Sequence, residues 1–191
     1  MSSHLVIADI GSLEELREGA TSEDMSLVEQ FGSEKRQCEV LAWRKIVRSE
    51  LGEGCKISYD EYGAPALDIP NRYISISHSK CKVAVLFSDA PCAVDIEQTD
   101  RDFRKVASRY LSEEEQALAE EYNLYGEMWC AKEALYKYHK RGNLDFAEDI
   151  RIVDYKADTC HFVGQILDGA PINVALDGDE TLIIATIVRE E

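Results

Sequence analysis

The sequence predicts an α+β fold made of two halves, residues 1–98 and 99–191, which meet near residues 98–101. A helix followed by strands in the first part of the chain is succeeded by helices followed by strands in the second part. The C-terminal stretch alternates and carries the dipeptides Asp168-Gly169 and Asp177-Gly178, which are strong signals of hairpin turns. No Pro- or Gly-rich linker separates the halves, so we expect them to pack tightly.

The clearest element of the first half is a helix at 34–51, because apolar residues recur there at helical spacing. Ahead of this helix, the sequence predicts a short strand at 5–10 and a weakly patterned helix at 22–31. Ser12 and Glu15 have the spacing of a capping box, which predicts the start of a further helix between these two elements.

Alternating or continuous apolar patterns predict the next strands at 56–59, 73–77, 83–87 and 93–97. The last two are expected to form a hairpin across the turn at Ser88-Asp89-Ala90-Pro91. Ser112 and Glu115 predict a second capping box, and a longer helix is expected from about Glu127 to Lys140. The pattern then predicts four strands of a β-meander at about 150–154, 161–167, 171–176 and 181–188.

Composition argues against several functions. The net charge is −16, whereas proteins that grip a nucleic-acid backbone are usually basic, so no nucleic-acid partner is expected. The chain lacks a run of 18 apolar residues and a secretory signal, and its six cysteines form no CxxC pair. We therefore expect no membrane association, reduced thiols and a cytoplasmic location. The basic residues cluster around 35–48, 101–109 and 132–141, either on solvated helix faces or around one anionic ligand.

Asp95 and Glu97 are the first candidate site. Side chains alternate along a strand, so both carboxylates point to the same face, about 7 Å apart. A cation that prefers oxygen ligands, such as Mg²⁺, would relieve the repulsion between them. The alternative is a plain edge strand with a solvated acidic face.

The helix at 127–140 carries Trp129, Glu133 and Lys137 four residues apart, and therefore on one face. Glu133 is a candidate third ligand of the same cation, and Lys137 is a candidate partner of phosphate groups. The alternative is an ordinary Glu–Lys pair that stabilises the helix by about 0.2–0.5 kcal/mol.

Ser77, His78 and Ser79 follow a predicted strand, where hydroxyl and imidazole groups can donate hydrogen bonds to phosphate oxygens. A Ser-His hydrolase is disfavoured because no G-x-S-x-G elbow surrounds the pair. The plainer interpretation is a polar hairpin turn.

In their order and spacing, these segments resemble the Sfp-type 4′-phosphopantetheinyl transferases. That family carries a Ser-His-Ser segment, a Gly/Ala-x-Asp-x-Glu strand and a Trp-x-x-Lys-Glu-Ala-x-x-Lys helix. The matching segments are Ser77-His78-Ser79, Ala93-Val94-Asp95-Ile96-Glu97 and Trp129-Cys130-Ala131-Lys132-Glu133-Ala134-Leu135-Tyr136-Lys137. The segments 39–44 and 109–115 are similar to the family's arginine-bearing helix and to its Arg-Phe-Phe-Ser-x-x-Glu segment.

The resemblance implies the phosphopantetheinyl transferase fold, with two pseudo-twofold-related α/β halves in a monomer and a cleft between them. It implies transfer of 4′-phosphopantetheine from coenzyme A to a serine of an apo acyl or peptidyl carrier protein, with release of adenosine 3′,5′-bisphosphate. Such an enzyme depends on Mg²⁺ and serves fatty acid, polyketide or nonribosomal peptide biosynthesis.

The resemblance also implies residue roles. Asp95, Glu97 and Glu133 would hold Mg²⁺, Glu133 would take the serine proton, and Lys137 would assist the leaving phosphate. The expected coenzyme-binding residues are Lys35, Arg36, Arg44, Ser77, His78, Asp95 and Lys137. Ala64 stands where the family often has a lysine that contacts the 3′-phosphate, so we expect Arg44 or Lys35 to make that contact. Ser75 stands where asparagine is usual.

Two other functions remain open. A Mg²⁺-dependent nuclease also uses a D-x-E pair with a lysine, but here Gln98-Thr99 follows Glu97 in place of the usual Glu-x-Lys element. A non-catalytic carrier-protein interaction domain would keep the scaffold without the coenzyme site. Ala64 favours that second alternative, whereas the intact Asp95, Glu97, Glu133 and Lys137 disfavour it.

Overall fold

The computed structural model describes residues 2–189, which form five α-helices, one 3₁₀ helix (Arg104–Arg109) and ten β-strands. The helices are α1 (Leu13–Arg17), α2 (Ser22–Val28), α3 (Glu34–Leu51), α4 (Glu113–Tyr122) and α5 (Tyr125–His139). The first six strands are β1 (Ser3–Asp9), β2 (Ile57–Tyr59), β3 (Pro65–Leu67), β4 (Tyr73–Ser79), β5 (Lys82–Ser88) and β6 (Cys92–Gln98). The last four are β7 (Ile150–Lys156), β8 (His161–Ile166), β9 (Ile172–Gly178) and β10 (Leu182–Val188).

Two antiparallel sheets organise these elements, together with the short pair β2-β3. The first sheet has the order β1-β5-β4, and the second has the order β6-β10-β9-β8-β7. Val83, Val85 and Phe87 of β5 pack with α1, α2 and α3 on one face of the first sheet. Ala84 and Leu86, which point the other way, pack against β6 and β10 of the second sheet.

The opposite face of the second sheet carries α4 and α5. Ala93, Ile183, Ala185 and Ile187 join the apolar residues of these helices in the largest core cluster. The molecule is therefore layered as helices, first sheet, second sheet and helices, and α5 runs along the second sheet close to β6. This layering places the face of α5 that carries Glu133 near the carboxylates of β6.

Most predicted elements are confirmed, including the helix at 34–51, both capping boxes and the four-stranded meander. The mixed α/β class with antiparallel sheets is also confirmed. The short strand β3 was not predicted, because its three residues fall in a segment with loop composition. All six cysteines are free thiols, four of them buried. No helix in residues 2–189 has both the length and the apolar character needed to cross a membrane.

The predicted hairpin between β5 and β6 is wrong. Both edges of β5 are already occupied, by β1 and β4, and β6 pairs instead with β10. The turn at 88–91 therefore carries the chain from one sheet to the other. Strand β6 belongs to the sheet of the second half, although it lies before the predicted boundary at residue 98.

Candidate active site at the junction of the two sheets

Strands β4 and β6 run side by side where the two sheets meet, and serine hydroxyls link them. Oγ of Ser75 accepts a hydrogen bond from the backbone N–H of Val94 at 2.9 Å. Oγ of Ser77 accepts one from the backbone N–H of Ile96 at 3.2 Å. Because alternate residues of a strand share a face, the serines at 75, 77 and 79 all point toward β6.

The same row of serines positions the two carboxylates of β6. Ser77 donates a hydrogen bond to Oδ1 of Asp95 at 2.7 Å, and Ser79 donates one to Oε2 of Glu97 at 2.9 Å. The side chains of Asp95 and Glu97 thus lie on one face of β6, as the alternation of the strand predicted, and this is the face that Ala93 shares and that α5 covers.

Lys137 of α5 lies across this junction. Its Nζ donates to the backbone oxygens of Ile76 and Val94, at 3.3 and 3.0 Å, and to Oδ1 of Asp95 at 2.7 Å. An ammonium group has three N–H donors, so all three have protein acceptors here. Lys137 therefore joins β4, β6 and α5 at one point.

Asp95 retains one oxygen without a partner. Its Oδ1 accepts from Ser77 and Lys137, whereas its buried Oδ2 has no hydrogen-bond partner of ordinary geometry within residues 2–189. The buried thiol of Cys130 makes only a weak contact with the same carboxylate. Buried polar atoms nearly always have partners, so an unpartnered carboxylate oxygen at a junction indicates a place for a ligand atom.

Both carboxylate oxygens of Glu97 accept hydrogen bonds. Its Oε1 accepts from Nη1 of Arg101 at 2.6 Å and from Nε1 of Trp129 at 3.1 Å, while its Oε2 accepts from Ser79. The Trp129 side chain lies on α5 and packs edge-on against Tyr110 and face-on against Phe146. The tryptophan of the predicted motif thus connects Glu97 to the helical core.

Glu133 is half-buried on α5 and makes no hydrogen bond or ion pair with the described part of the chain. Burial, followed by the negative charges of Asp95 and Glu97, raises the pKa of this carboxyl to about 7, although Lys137 and Arg101 partly oppose the shift. The three predicted carboxylates therefore lie within electrostatic reach of one another. In residues 2–189, however, no three His, Cys, Asp or Glu side chains are gathered closely enough to enclose a metal ion.

His78 lies beside this junction together with two cations, Lys35 and Arg36. Its Nε2 lies 3.1 Å from Nη1 of Arg36 and 3.5 Å from Oε2 of Glu39, and Glu39 also pairs with Lys35 at 3.7 Å. Burial is the main cause that lowers the pKa of His78, and the positive charges of Arg36, Lys137 and Lys35 act in the same direction. The structure thus brings together four of the predicted coenzyme-binding residues: Lys35, Arg36, His78 and Lys137. Their roles stay predictions.

The structure corrects the prediction that Arg44 contacts the coenzyme. Its side chain is 1% exposed, and its guanidinium pairs with Asp24 and Glu23. Asp24 also binds Arg48, so this cluster joins α2 to α3 inside the protein. A phosphate contact needs an accessible guanidinium, and we therefore assign Arg44 a structural role in place of the predicted coenzyme contact.

A cavity of about 330 Å³ opens beside Lys137. Its lining includes Ala64, Tyr136, Lys137 and Lys140. Nζ of Lys140 lies 3.3 Å from Oδ2 of Asp60, whose Oδ1 accepts from the backbone N–H of Ala64 at 2.9 Å. Lys140 thus supplies a cation to the cavity that contains Ala64.

Sequence reasoning did not assign Lys140 or Arg101 to the site. Both lay in basic clusters, but nothing in their spacing connected them to Ala64 or Glu97. Lys140 follows the last turn of α5 with a left-handed backbone, at a φ of 65°, and Arg101 lies in the loop after β6. The directions of these two side chains depend on loop conformation, which helical or strand periodicity cannot predict.

Comparison with known proteins relates this site to one family. Residues 91–181 match the 4′-phosphopantetheinyl transferase superfamily. The chain is also 32% identical over 94 residues to the 4′-phosphopantetheinyl transferase Sfp of Bacillus subtilis (strain 168). That alignment covers 46% of this chain and 42% of the relative. The predicted resemblance to this family is confirmed.

Proposed function

We propose that the chain, whose residues 91–181 match the 4′-phosphopantetheinyl transferase superfamily, transfers phosphopantetheine from coenzyme A to a serine of an apo carrier protein. The proposed reaction depends on Mg²⁺ and releases adenosine 3′,5′-bisphosphate. The observation that carries the proposal is a pair of unsatisfied carboxyl groups: the buried Oδ2 of Asp95 and the unpaired carboxyl of Glu133. Both lie beside a group of cations suited to phosphates.

The donor set fits a magnesium ion chemically. Asp95, Glu97 and Glu133 offer only oxygen ligands, and Mg²⁺ is usually bound by one or two carboxylates, waters and substrate phosphates rather than by a complete protein cage. This preference is compatible with the absence of a tight cluster of three ligands among the described residues. When bound, the ion would neutralise pyrophosphate charge and polarise the phosphorus that is attacked.

Glu133 is the proposed general base. A base works best when its pKa lies near the operating pH, and the pKa of Glu133 is raised to about 7. The carboxylate form would accept the proton of the carrier serine, directly or through a water molecule, while the serine oxygen attacks phosphorus.

The candidate phosphate-binding side chains divide into two sets around Lys137. Lys35, Arg36 and His78 lie on one side, and Lys140 lies in the cavity that contains Ala64. We propose that the first set holds the pyrophosphate and that Lys140 contacts the phosphate at the nucleotide end of the coenzyme. Lys137 would exchange a hydrogen bond to a backbone oxygen for one to the leaving phosphate.

Intact-mass measurement of a carrier protein tests the proposal. An apo carrier incubated with the protein, coenzyme A and Mg²⁺ should gain the mass of phosphopantetheine, and Glu133→Gln should abolish the gain. The matched control is Glu127→Gln, because Glu127 is also half-buried on α5 with a pKa raised by burial, but does not contact the junction. Cleavage of DNA or RNA without modification of any carrier would favour the nuclease, and neither activity would favour the interaction domain.

A further inference from the structure

Arg101 lies over the carboxylate cluster without being buried in it. Its side chain is 46% exposed, and its Nη1 is 2.6 Å from Oε1 of Glu97. The central guanidinium carbon lies 4.7 Å from the ring centroid of Phe103 and 5.1 Å from that of Trp129. The two rings therefore support the cation, and Glu97 supplies its one hydrogen-bond acceptor within residues 2–189.

The two cations at this cluster are held differently. Lys137 is fixed by two backbone oxygens in addition to Asp95. The guanidinium of Arg101 has no backbone acceptor in the described part of the chain, and its charge acts on Glu133 as well as on Glu97. Arg101 is thus the counter-ion that can leave while the junction of the sheets stays intact.

We propose that Arg101 is an exchangeable counter-ion: it neutralises Glu97 when no divalent cation is bound, and it releases Oε1 of Glu97 when Mg²⁺ occupies the site. This inference rests on the proposed function, since it places Mg²⁺ at these carboxylates. The released guanidinium stays over the rings of Phe103 and Trp129. Arg101 thereby sets the concentration of Mg²⁺ that the site needs.

The expected change in Mg²⁺ affinity follows from the solvent exposure of the ion pair between Arg101 and Glu97. Ion pairs between partly exposed side chains are weak, so breaking this one should reduce the affinity for Mg²⁺ by only about twofold to fivefold. Removing Arg101 should therefore tighten Mg²⁺ binding by the same factor. A residue that merely positioned Glu97 would have the opposite effect, because its removal would weaken binding.

The test measures Mg²⁺ binding without any turnover. Mg²⁺ alone is titrated into chelator-treated protein, and binding is followed by calorimetry and by the fluorescence of Trp129 in a Trp43→Phe background. Trp129 reports on the site because its Nε1 donates to Glu97 and its ring contacts Arg101. Arg101→Met should bind Mg²⁺ about twofold to fivefold more tightly than the parent protein.

Arg104→Met is the matched control. Arg104 lies three residues further on, pairs with Glu120 and stands 5.5 Å from the ring of Tyr125, away from the three carboxylates. Its replacement should leave the affinity for Mg²⁺ unchanged, and circular dichroism should show that both variants are folded.

The outcomes separate the inference from the proposed function. If the parent protein binds Mg²⁺ and Arg101→Met binds it equally or less tightly, the exchange is refuted and the proposed function stands. If neither the parent nor Arg101→Met binds Mg²⁺, both the inference and the metal part of the proposed function fail.

Discussion

Lys132 and Glu115 form an ion pair in the interior of the second half: Lys132 is completely buried, and its Nζ lies 2.6 Å from Oε2 of Glu115. Lys132 also donates to the backbone oxygen of Phe146, and Glu115 accepts from the backbone N–H of Ile152. Successive side chains on a helix are rotated by about 100°, so Lys132 faces the core while its neighbour Glu133 faces the junction of the sheets. One motif therefore supplies both a structural residue and a candidate catalytic residue.

Replacing Lys132 should destabilise the protein strongly. Lys132→Met leaves the buried Glu115 without its counter-ion, which should lower the free energy of unfolding by about 3–5 kcal/mol in urea denaturation. The double variant Lys132→Met/Glu115→Gln should recover part of this loss. Lys105→Met, which removes an exposed ion pair with Asp102, serves as the control and should denature close to the wild type. Equal midpoints for Lys132→Met and the wild type would contradict a structural role.

Transfer activity should depend on the ionisation of Glu133. Because the pKa of Glu133 is about 7 and a general base acts in its ionised form, kcat/KM should fall as the pH is lowered through 7. The measurement is kcat/KM for the carrier protein between pH 5.5 and 8.5, at saturating Mg²⁺. Glu127→Gln should keep the wild-type profile, whereas a Glu133→Gln variant with normal activity and the same profile would remove the base assignment.

The carboxyl group of Glu133 should also influence the stability of the folded protein. Its pKa is about 4.5 in an unfolded chain and about 7 in the folded protein, so the unfolded state loses its proton first as the pH rises. Folding stability due to this group should fall between pH 4.5 and 7 and stay constant above that range. Glu133→Gln should therefore be more stable than the wild type by up to about 1–3 kcal/mol at pH 8 in the presence of a chelator, and equally stable at pH 4. Urea denaturation at both pH values checks this, and a constant difference would show that Glu133 is not perturbed.

Alanine substitutions at Ser75 and Ser77 form a matched pair that tests the hydrogen bonds between β4 and β6. Each accepts a hydrogen bond from the backbone of β6, but only Ser77 also donates to Asp95. Alanine at either position leaves a buried N–H without a partner and should cost about 1–3 kcal/mol in thermal or urea unfolding. Only Ser77→Ala should also change the affinity for Mg²⁺ measured by calorimetry, since Asp95 then loses a partner. Equal Mg²⁺ affinities in both variants would show that Ser77 does not position the metal ligand.

Lys140 should act on coenzyme binding rather than on chemistry. Lys140→Met removes the accessible cation of the cavity beside Ala64, so KM for coenzyme A should rise about fivefold to tenfold while kcat changes little. Lys156→Met, at the far end of the meander in β7, is the control and should leave KM unchanged. A similar rise of KM in both variants would point to long-range charge rather than to contact at the cavity.

Local patterns explain what could be predicted. The helix at 34–51 and the meander followed from periods of 3.6 and 2, which depend only on neighbouring residues. The same periods correctly placed Asp95 and Glu97 on one face of a strand, and Glu133 and Lys137 on one face of a helix.

Strand pairing, the burial of individual side chains and the directions of loop side chains depended on long-range packing. Local patterns were enough to predict most of the helices and strands and the faces that carry their acidic and basic side chains. Folding of the whole chain was needed to pair β6 with β10, to bury Arg44 against Asp24 and to bring Arg101 onto the ring of Trp129. Periodicity describes the face of an isolated element, whereas pairing, burial and the direction of a loop side chain depend on contacts between residues far apart in the chain.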